Sequence, residues 1–300
     1  MPIDCPVKFT SLEHEEFKRL DYRVMEQAFA SHNDLGRHCD ETIYQNDLQA
    51  RLEAAGLGPV RTEVPVTVTF RDFSKTYYLD LVVHDAVVYE LKTVALLTGE
   101  YKAQLLNYLL LLDLPAGKLI NFRTPSVEYE FVNTRLTPEE RRAFTTDTTR
   151  WHKLSPACAA LRETLLELLR EWGAFLDLTL YQEALTWFLG GEDQVMQRLE
   201  IHRDGRVLGT QRVPVHARGI AFRLTAHTEN LDRAESHLSR FLRHTNLDSL
   251  QWLNLNRTDI HFVTLRNNLS DPIFLTTCRS QKNGVKKIEN TMSAFILKSL

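Results

Sequence analysis

The chain has 300 residues, of which 43% are hydrophobic and 25% charged, with a formal net charge of -3 and a pI near 6.4, enough to bury one large or two modest cores. This balance excludes a globally basic nucleic-acid binder, so any phosphate recognition must come from a local patch. Cys5, Cys39, Cys158 and Cys278 form no C-x-x-C pair, which argues against a zinc site or a disulfide scaffold.

Residues 1–30 contain no apolar signal core, and the most apolar stretch, 105–122, is interrupted by Asn107, Asp113, Pro115 and Lys118. A cytoplasmic protein without membrane contact is therefore expected.

Phe17, Leu20, Val24, Met25 and Ala28 stand at helical spacing within 15–29, and a second helix is expected over 41–55. After Gly56-Leu57-Gly58-Pro59, residues 64–70 alternate like a strand, and 77–83 and 86–91 read as two more, joined at His84-Asp85. A helix over 102–112 presents Leu105, Leu106, Leu109 and Leu112; a buried strand follows over 118–122, then an edge-like strand carrying Val127, Tyr129 and Phe131. The Thr-rich, charged stretch 137–150 reads as a linker.

Asp80 falls in a hydrophobic strand and Glu90-Leu91-Lys92 ends the next, so two carboxylates and a lysine meet at one end of a sheet. Hydrolysis of a phosphodiester needs such hard oxygen ligands for Mg²⁺ or Mn²⁺, with Asp80, Glu90 and the Leu91 carbonyl as metal ligands. Lys92 shares a strand face with Glu90 and could orient the attacking water and stabilise the transition state. By itself this spacing is more often that of a salt-bridged strand pair. Gln104 and Tyr108, four apart on the next helix, add a polar pair on one face.

Together these residues resemble the Q-x-x-x-Y motif of RecB-type PD-(D/E)XK nucleases. A closer resemblance covers about 15–135. Leu35-Gly36, Glu41-Thr42-Ile43-Tyr44, Asp80-Leu81-Val82-Val83, Glu90-Leu91-Lys92, Gln104 with Tyr108, and Leu119-Ile120-Asn121-Phe122 occur in the order seen in the bacterial GxxExxY family. The resemblance implies a restriction-endonuclease-like α/β core, a mixed sheet flanked by helices, with DNA as substrate and Glu41 as an additional catalytic and metal-binding acid. The chain departs from the family at His38, where the naming glycine should stand.

The second half repeats the pattern. Residues 173–185 resemble 36–48, with Tyr181 matching Tyr44, a displacement of 137 (181 − 44). Glu41 meets Leu178 at that displacement; downstream it is 133 (254 − 121), and Asp80, Glu90, Lys92, Gln104 and Tyr108 meet Val213, Arg223, Thr225, His237 and Phe241. The apolar positions persist while the chemical ones are lost, so a tandem duplication with an inactive second copy is expected, a possible pseudo-dimer within one chain.

Residues 197–266 hold 11 Arg, no Lys and 7 Asp or Glu. Arg198, Arg203, Arg206, Arg212, Arg218, Arg240 and Arg243 are the weak nucleic-acid-binding set, because guanidinium forks suit phosphates; a solvated basic surface is the commoner explanation of such arginines. The expected organisation is a nuclease-like domain over 1–140, a degenerate repeat over 141–269 and a basic tail over 270–300. The alternative function is a non-catalytic nucleic-acid-binding or protein-interaction module on a nuclease fold.

Overall fold

The structure, a computed structural model, describes residues 3–267; the basic tail expected over 270–300 lies outside the described residues. The chain divides into two compact units, Met1–Ala143 with Leu168–Leu180, and Phe144–Glu167 with Tyr181–Leu300.

The first unit opens with a short strand, β1 (Ile3–Asp4), and two helices, α1 (His14–Leu35) and α2 (Glu41–Ala54). Then come β2 (Val60–Phe70), β3 (Phe73–Val83), β4 (Val87–Lys92), α3 (Gly99–Leu112), β5 (Ala116–Asn121), β6 (Glu128–Asn133) and α4 (Pro138–Arg142). The sheet runs β1-β2-β3-β4-β5-β6, antiparallel throughout except for the parallel β4–β5 pair that α3 connects. Its two faces follow the pleat. Val87, Tyr89 and Leu91 pack under Leu20, Val24 and Ala28 of α1 and Tyr44, Leu48 and Leu52 of α2, whereas Val88 packs with Leu105, Tyr108 and Leu109 of α3. Trp172 also belongs to this unit: its indole N–H donates to the Thr69 carbonyl at 3.2 Å beside the Phe70 and Phe73 rings.

His38 lies in the corner between α1 and α2. The chain turns at Gly36, whose φ of 71° suits a residue without Cβ, and the Tyr44 hydroxyl donates to the Gly36 carbonyl at 2.6 Å. The permissive residue simply sits two positions earlier.

The 137–150 stretch is not a linker. Pro138 starts α4 behind a reciprocal cap in which Glu140 N–H donates to Thr137 Oγ1 and Thr137 N–H to Glu140 Oε2. Residues Thr145–Arg150 form β7, a wholly exposed edge strand parallel to a partner more than a hundred residues downstream.

Beyond β7 the second unit is built from α5 (Pro156–Trp172), α6 (Leu178–Phe188), α7 (Glu192–Val195), β8 (Met196–Arg203), β9 (Arg206–Ala217), β10 (Ile220–Thr225), α8 (Leu231–Arg243), β11 (Ser249–Asn256) and β12 (Asp259–Arg266). The ends of α5 and α6 nearest each other fall in the first unit. Its sheet runs β7-β12-β11-β10-β9-β8, again with a parallel pair, β10–β11, bridged by a helix.

The registers also correspond. Lys92 pairs with Asn121 and Asn121 with Glu128; 133 positions on (254 − 121), Thr225 pairs with Asn254 and Asn254 with His261. Each asparagine clamps the loop after its neighbouring strand. Asn121 accepts the Val94 N–H at 3.0 Å and donates to the Val94 carbonyl at 2.8 Å, and Asn254 does the same with His227 at 2.8 and 2.9 Å. Two mixed sheets of this kind are compatible with duplication.

Both asparagines are fully buried, so truncation strands backbone groups at a cost of about 1–3 kcal/mol. Asn121→Ala is expected to lose that much protection in β4 and β5, read by amide hydrogen exchange. Unchanged protection would mean that the side chain does not hold the loop.

Candidate active site

Because β4 is buried along its whole length, its terminal Glu90-Leu91-Lys92 brings charge into a dry environment. Glu90 and Lys92 lie on one face by the two-residue period, and the Lys92 ammonium donates to Glu90 Oε1 at 2.8 Å and to the Leu91 carbonyl at 2.7 Å. It also stands 3.5 Å from Asp80 Oδ2 and 3.8 Å from Glu41 Oε1, the first residue of α2. Three acids from three elements therefore converge on one lysine.

Asp80 has a second task. The β3–β4 ladder ends at the Leu81–Tyr89 pair, and beyond it Asp80 Oδ2 accepts the Leu91 N–H at 2.8 Å, replacing the missing ladder partner.

Burial followed by the negative charge of Asp80 pushes the Glu90 carboxyl up to about 8, against the pull of Lys92. Burial raises Asp80 and Glu41 as well, with Lys92 opposing in both cases. Lys92 is itself lowered by burial, but the surrounding acids outweigh this and hold it above the ordinary lysine range.

Gln104 and Tyr108 meet on α3, where the Gln104 amide donates to the Tyr108 hydroxyl at 2.9 Å. Burial raises the Tyr108 hydroxyl to about 12, Gln104 lowers it, and the charges of Glu90 and Asp80 raise it further. The pair thus lies within the field of the acids while bonding to one another.

Two residues escaped the sequence reading. The Gln45 amide nitrogen donates to both the Asp80 carbonyl at 2.7 Å and Glu63 Oε1 at 2.8 Å. Glu63 lies on β2 with φ 49°, an uncommon conformation for a non-glycine residue within a strand. Its charge raises both Asp80 and Glu41. Gln45 follows Glu41 by one helical turn, a signal that could have been read; the backbone conformation of Glu63 had no sequence signature.

The gathered carboxylates are hard oxygen donors, the ligand type that Mg²⁺ takes. Glu90 Oε2 is buried with no hydrogen-bond partner, and Asp80 and Glu41 add hard oxygens beside it. Among the described residues no group of three or more His, Cys, Asp or Glu side chains is placed to hold a metal ion; here the Lys92 ammonium lies against all three acids.

Residues 18–133 match the PD-(D/E)XK nuclease superfamily. That span contains Glu41, Gln45, Glu63, Asp80, Glu90, Lys92, Gln104 and Tyr108. No curated protein matches the chain. The solved structure of SSO0001 aligns at 22% identity over 41% of this chain and 60% of its own length, with a TM-score of 0.26, so the chain spans less than two thirds of that structure. No helix among the described residues is long and apolar enough to cross a membrane.

Of the seven arginines, Arg203, Arg240 and Arg243 line a single cleft, together with His202, Asp204 and His244. Arg198 and Arg212 pair across β8 and β9, with Arg212 bound to Glu192 at 2.8 Å.

The raised Glu90 carboxyl sets a pH dependence. A carboxyl displaced upward holds its proton more tightly folded than unfolded, so its contribution to stability is present at low pH and is lost as pH rises from about 4.3 to about 8. In EDTA, Glu90→Gln is expected to flatten this decline and to stabilise the protein by at least about 1 kcal/mol at pH 8, measured by thermal unfolding across the pH range. A parallel decline in both proteins would exclude Glu90 as its source.

Proposed function

We propose that the first unit is a metal-dependent nuclease of the GxxExxY kind, hydrolysing DNA phosphodiester bonds, and that the second unit is a degenerate copy acting as its pseudo-dimer partner. The observation that carries this reading is the convergence of Glu41, Asp80 and Glu90 on Lys92 with one buried Glu90 oxygen unpartnered. PD-(D/E)XK nucleases generally use divalent metal ions, and the superfamily match supports a nucleic-acid substrate.

Mg²⁺ or Mn²⁺ held by Asp80, Glu90 and the Leu91 carbonyl, with Glu41 as a further acid, would counter the charge developing on the phosphate and lower the pKa of the attacking water. Lys92 would orient that water and offer a positive charge to the non-bridging oxygens. Glu90 and Asp80 hold Lys92 in its charged form, which suits electrostatic support better than proton abstraction. Gln104 and Tyr108 would position the nucleic acid through the amide oxygen and the hydroxyl proton that their mutual hydrogen bond does not use. Gln45 would fix Asp80 through its carbonyl.

Labelled single- and double-stranded DNA incubated with Mg²⁺ or Mn²⁺ tests the assignment. Lys92→Ala and Asp80→Asn are each expected to lower cleavage by about 10²–10⁴-fold. Equal cleavage by wild type and both variants would sink the site, whereas DNA binding without cleavage in either metal would favour a non-catalytic binding module. Gln45→Ala is expected to reduce kcat by about 10-fold with little change in KM, since it displaces an acid without removing it; an unaltered kcat would remove Gln45 from the positioning machinery.

A further inference from the structure

The cleft between the β8–β9 hairpin and the end of α8 occupies about 440 Å³ and is lined by His202, Arg203, Asp204, Arg240, Arg243 and His244. Its construction is specific. The hairpin turns at Asp204-Gly205 with φ of 51° and 76°, the paired positive values of a tight two-residue turn. A register slip between Ile201 and His202 breaks the regular ladder just before it.

Two reciprocal hydrogen bonds then tie this hairpin to the helix. The His202 N–H donates to the His244 carbonyl at 2.8 Å, and His244 Nδ1 donates to the His202 carbonyl at 2.8 Å. A carbonyl only accepts, so Nδ1 carries the proton. The hairpin therefore delivers Arg203 to the space beside Arg240 and Arg243, which stand three apart on one face of the last turn of α8.

Basic residues in a last helical turn ordinarily complement the helix dipole, and Arg240 Nε does donate to the Ser236 carbonyl at 3.2 Å. That does not account for Arg203, which comes from another element. Three guanidinium-bearing residues line the cleft with one carboxylate, Asp204, whose side chain is 88% exposed and 3.6 Å from Arg203 Nε, while Glu200, outside the lining, stands 3.3 Å from His202 Nε2. The cleft falls within the roughly 300–1,000 Å³ range of ligand sites, yet no apolar side chain lines it. A ligand here would be recognised by negative charge and forked hydrogen bonds.

We propose that this cleft binds the phosphate backbone of DNA, which makes Arg203, Arg240 and Arg243, and not the whole arginine set, the nucleic-acid contacts of the second unit. The choice of DNA over another phosphate rests on the nuclease reading of the first unit; the binding measurement does not.

Anisotropy of fluorescein-labelled DNA in EDTA, where no cleavage occurs, tests the proposal with the full chain. Arg203→Ala/Arg240→Ala/Arg243→Ala is expected to weaken binding by at least about 10-fold and to flatten its salt dependence by about 2–3 units of slope. Arg198→Ala/Arg212→Ala/Arg218→Ala, which removes the same charge outside the cleft, is expected to weaken it by less than about 3-fold. Should the cleft triple variant fail to fold, Arg203→Glu on the exposed hairpin end is expected to give a comparable loss.

Equal losses in the two triple variants, or none in the cleft variant, would overturn the proposal. So would titration of inorganic phosphate into the cleft with the same arginine dependence while DNA binding is indifferent to these residues. Loss of cleavage in every protein with cleft-dependent binding intact would fail the nuclease alone.

Discussion

One ammonium group shared by three carboxylates is the constraint around which the first unit is organised. Lys92 contributes two short hydrogen bonds, to Glu90 and to the Leu91 carbonyl, and faces Asp80 and Glu41 at longer range. Desolvating an isolated carboxylate costs several kcal/mol, so Glu90, fully buried in the strand, could not remain there ionised without it. Yet one lysine cannot neutralise three acids. The surplus appears as raised carboxyl groups and as a Glu90 oxygen with no partner. Such an arrangement either takes up a proton or accepts a cation.

The second sheet shows a like strand arrangement built without such charges. At the register position of Lys92 stands Thr225, whose hydroxyl donates to Asn254 Oδ1 at 2.7 Å and accepts the Trp252 indole N–H at 2.8 Å. At the position of Glu90 stands Arg223, which is exposed. There the strand pairing and the asparagine clamp form without a buried acid at these positions, so an arrangement of this kind does not need a glutamate or lysine there. Their presence in the first sheet burdens the fold where a satisfied neutral network would serve. Electrostatic imbalance of this kind is characteristic of sites selected for chemistry.

Much of this was legible from spacing alone. Helical periodicity locates the buried faces of α1 and α3, and the two-residue strand period puts Glu90 beside Lys92 on one face. The His84-Asp85 turn is equally explicit, both residues adopting positive φ. What failed did so for identifiable reasons. The Thr145–Arg150 strand has no buried face, hence no alternation to read, and its partner lies far along the chain. Thr137-Pro138-Glu139-Glu140 does carry a helix-start signature, obscured by the charged, Thr-rich residues around it. The cleft arginines could not be separated from the others because their convergence depends on a hairpin slip and a histidine pair, neither of which periodicity encodes.

Gln45 explains how the third acid is held. Its amide spends both protons, one on the Asp80 carbonyl and one on Glu63, and thereby fastens α2 to β3 and β2 at once. Glu41, one turn earlier on that helix, is fixed in distance from Lys92 by this attachment and by the Tyr44–Phe122 stack, whose rings lie 4.4 Å apart. The helix is thus anchored along its inner face, and the corner preceding it need only reverse direction. The acid is therefore placed by contacts downstream of the turn at Gly36. Glu63, held in a sparsely populated backbone region, adds negative potential to Asp80 and Glu41 from the neighbouring strand, so the sheet reinforces the imbalance that Lys92 only partly offsets.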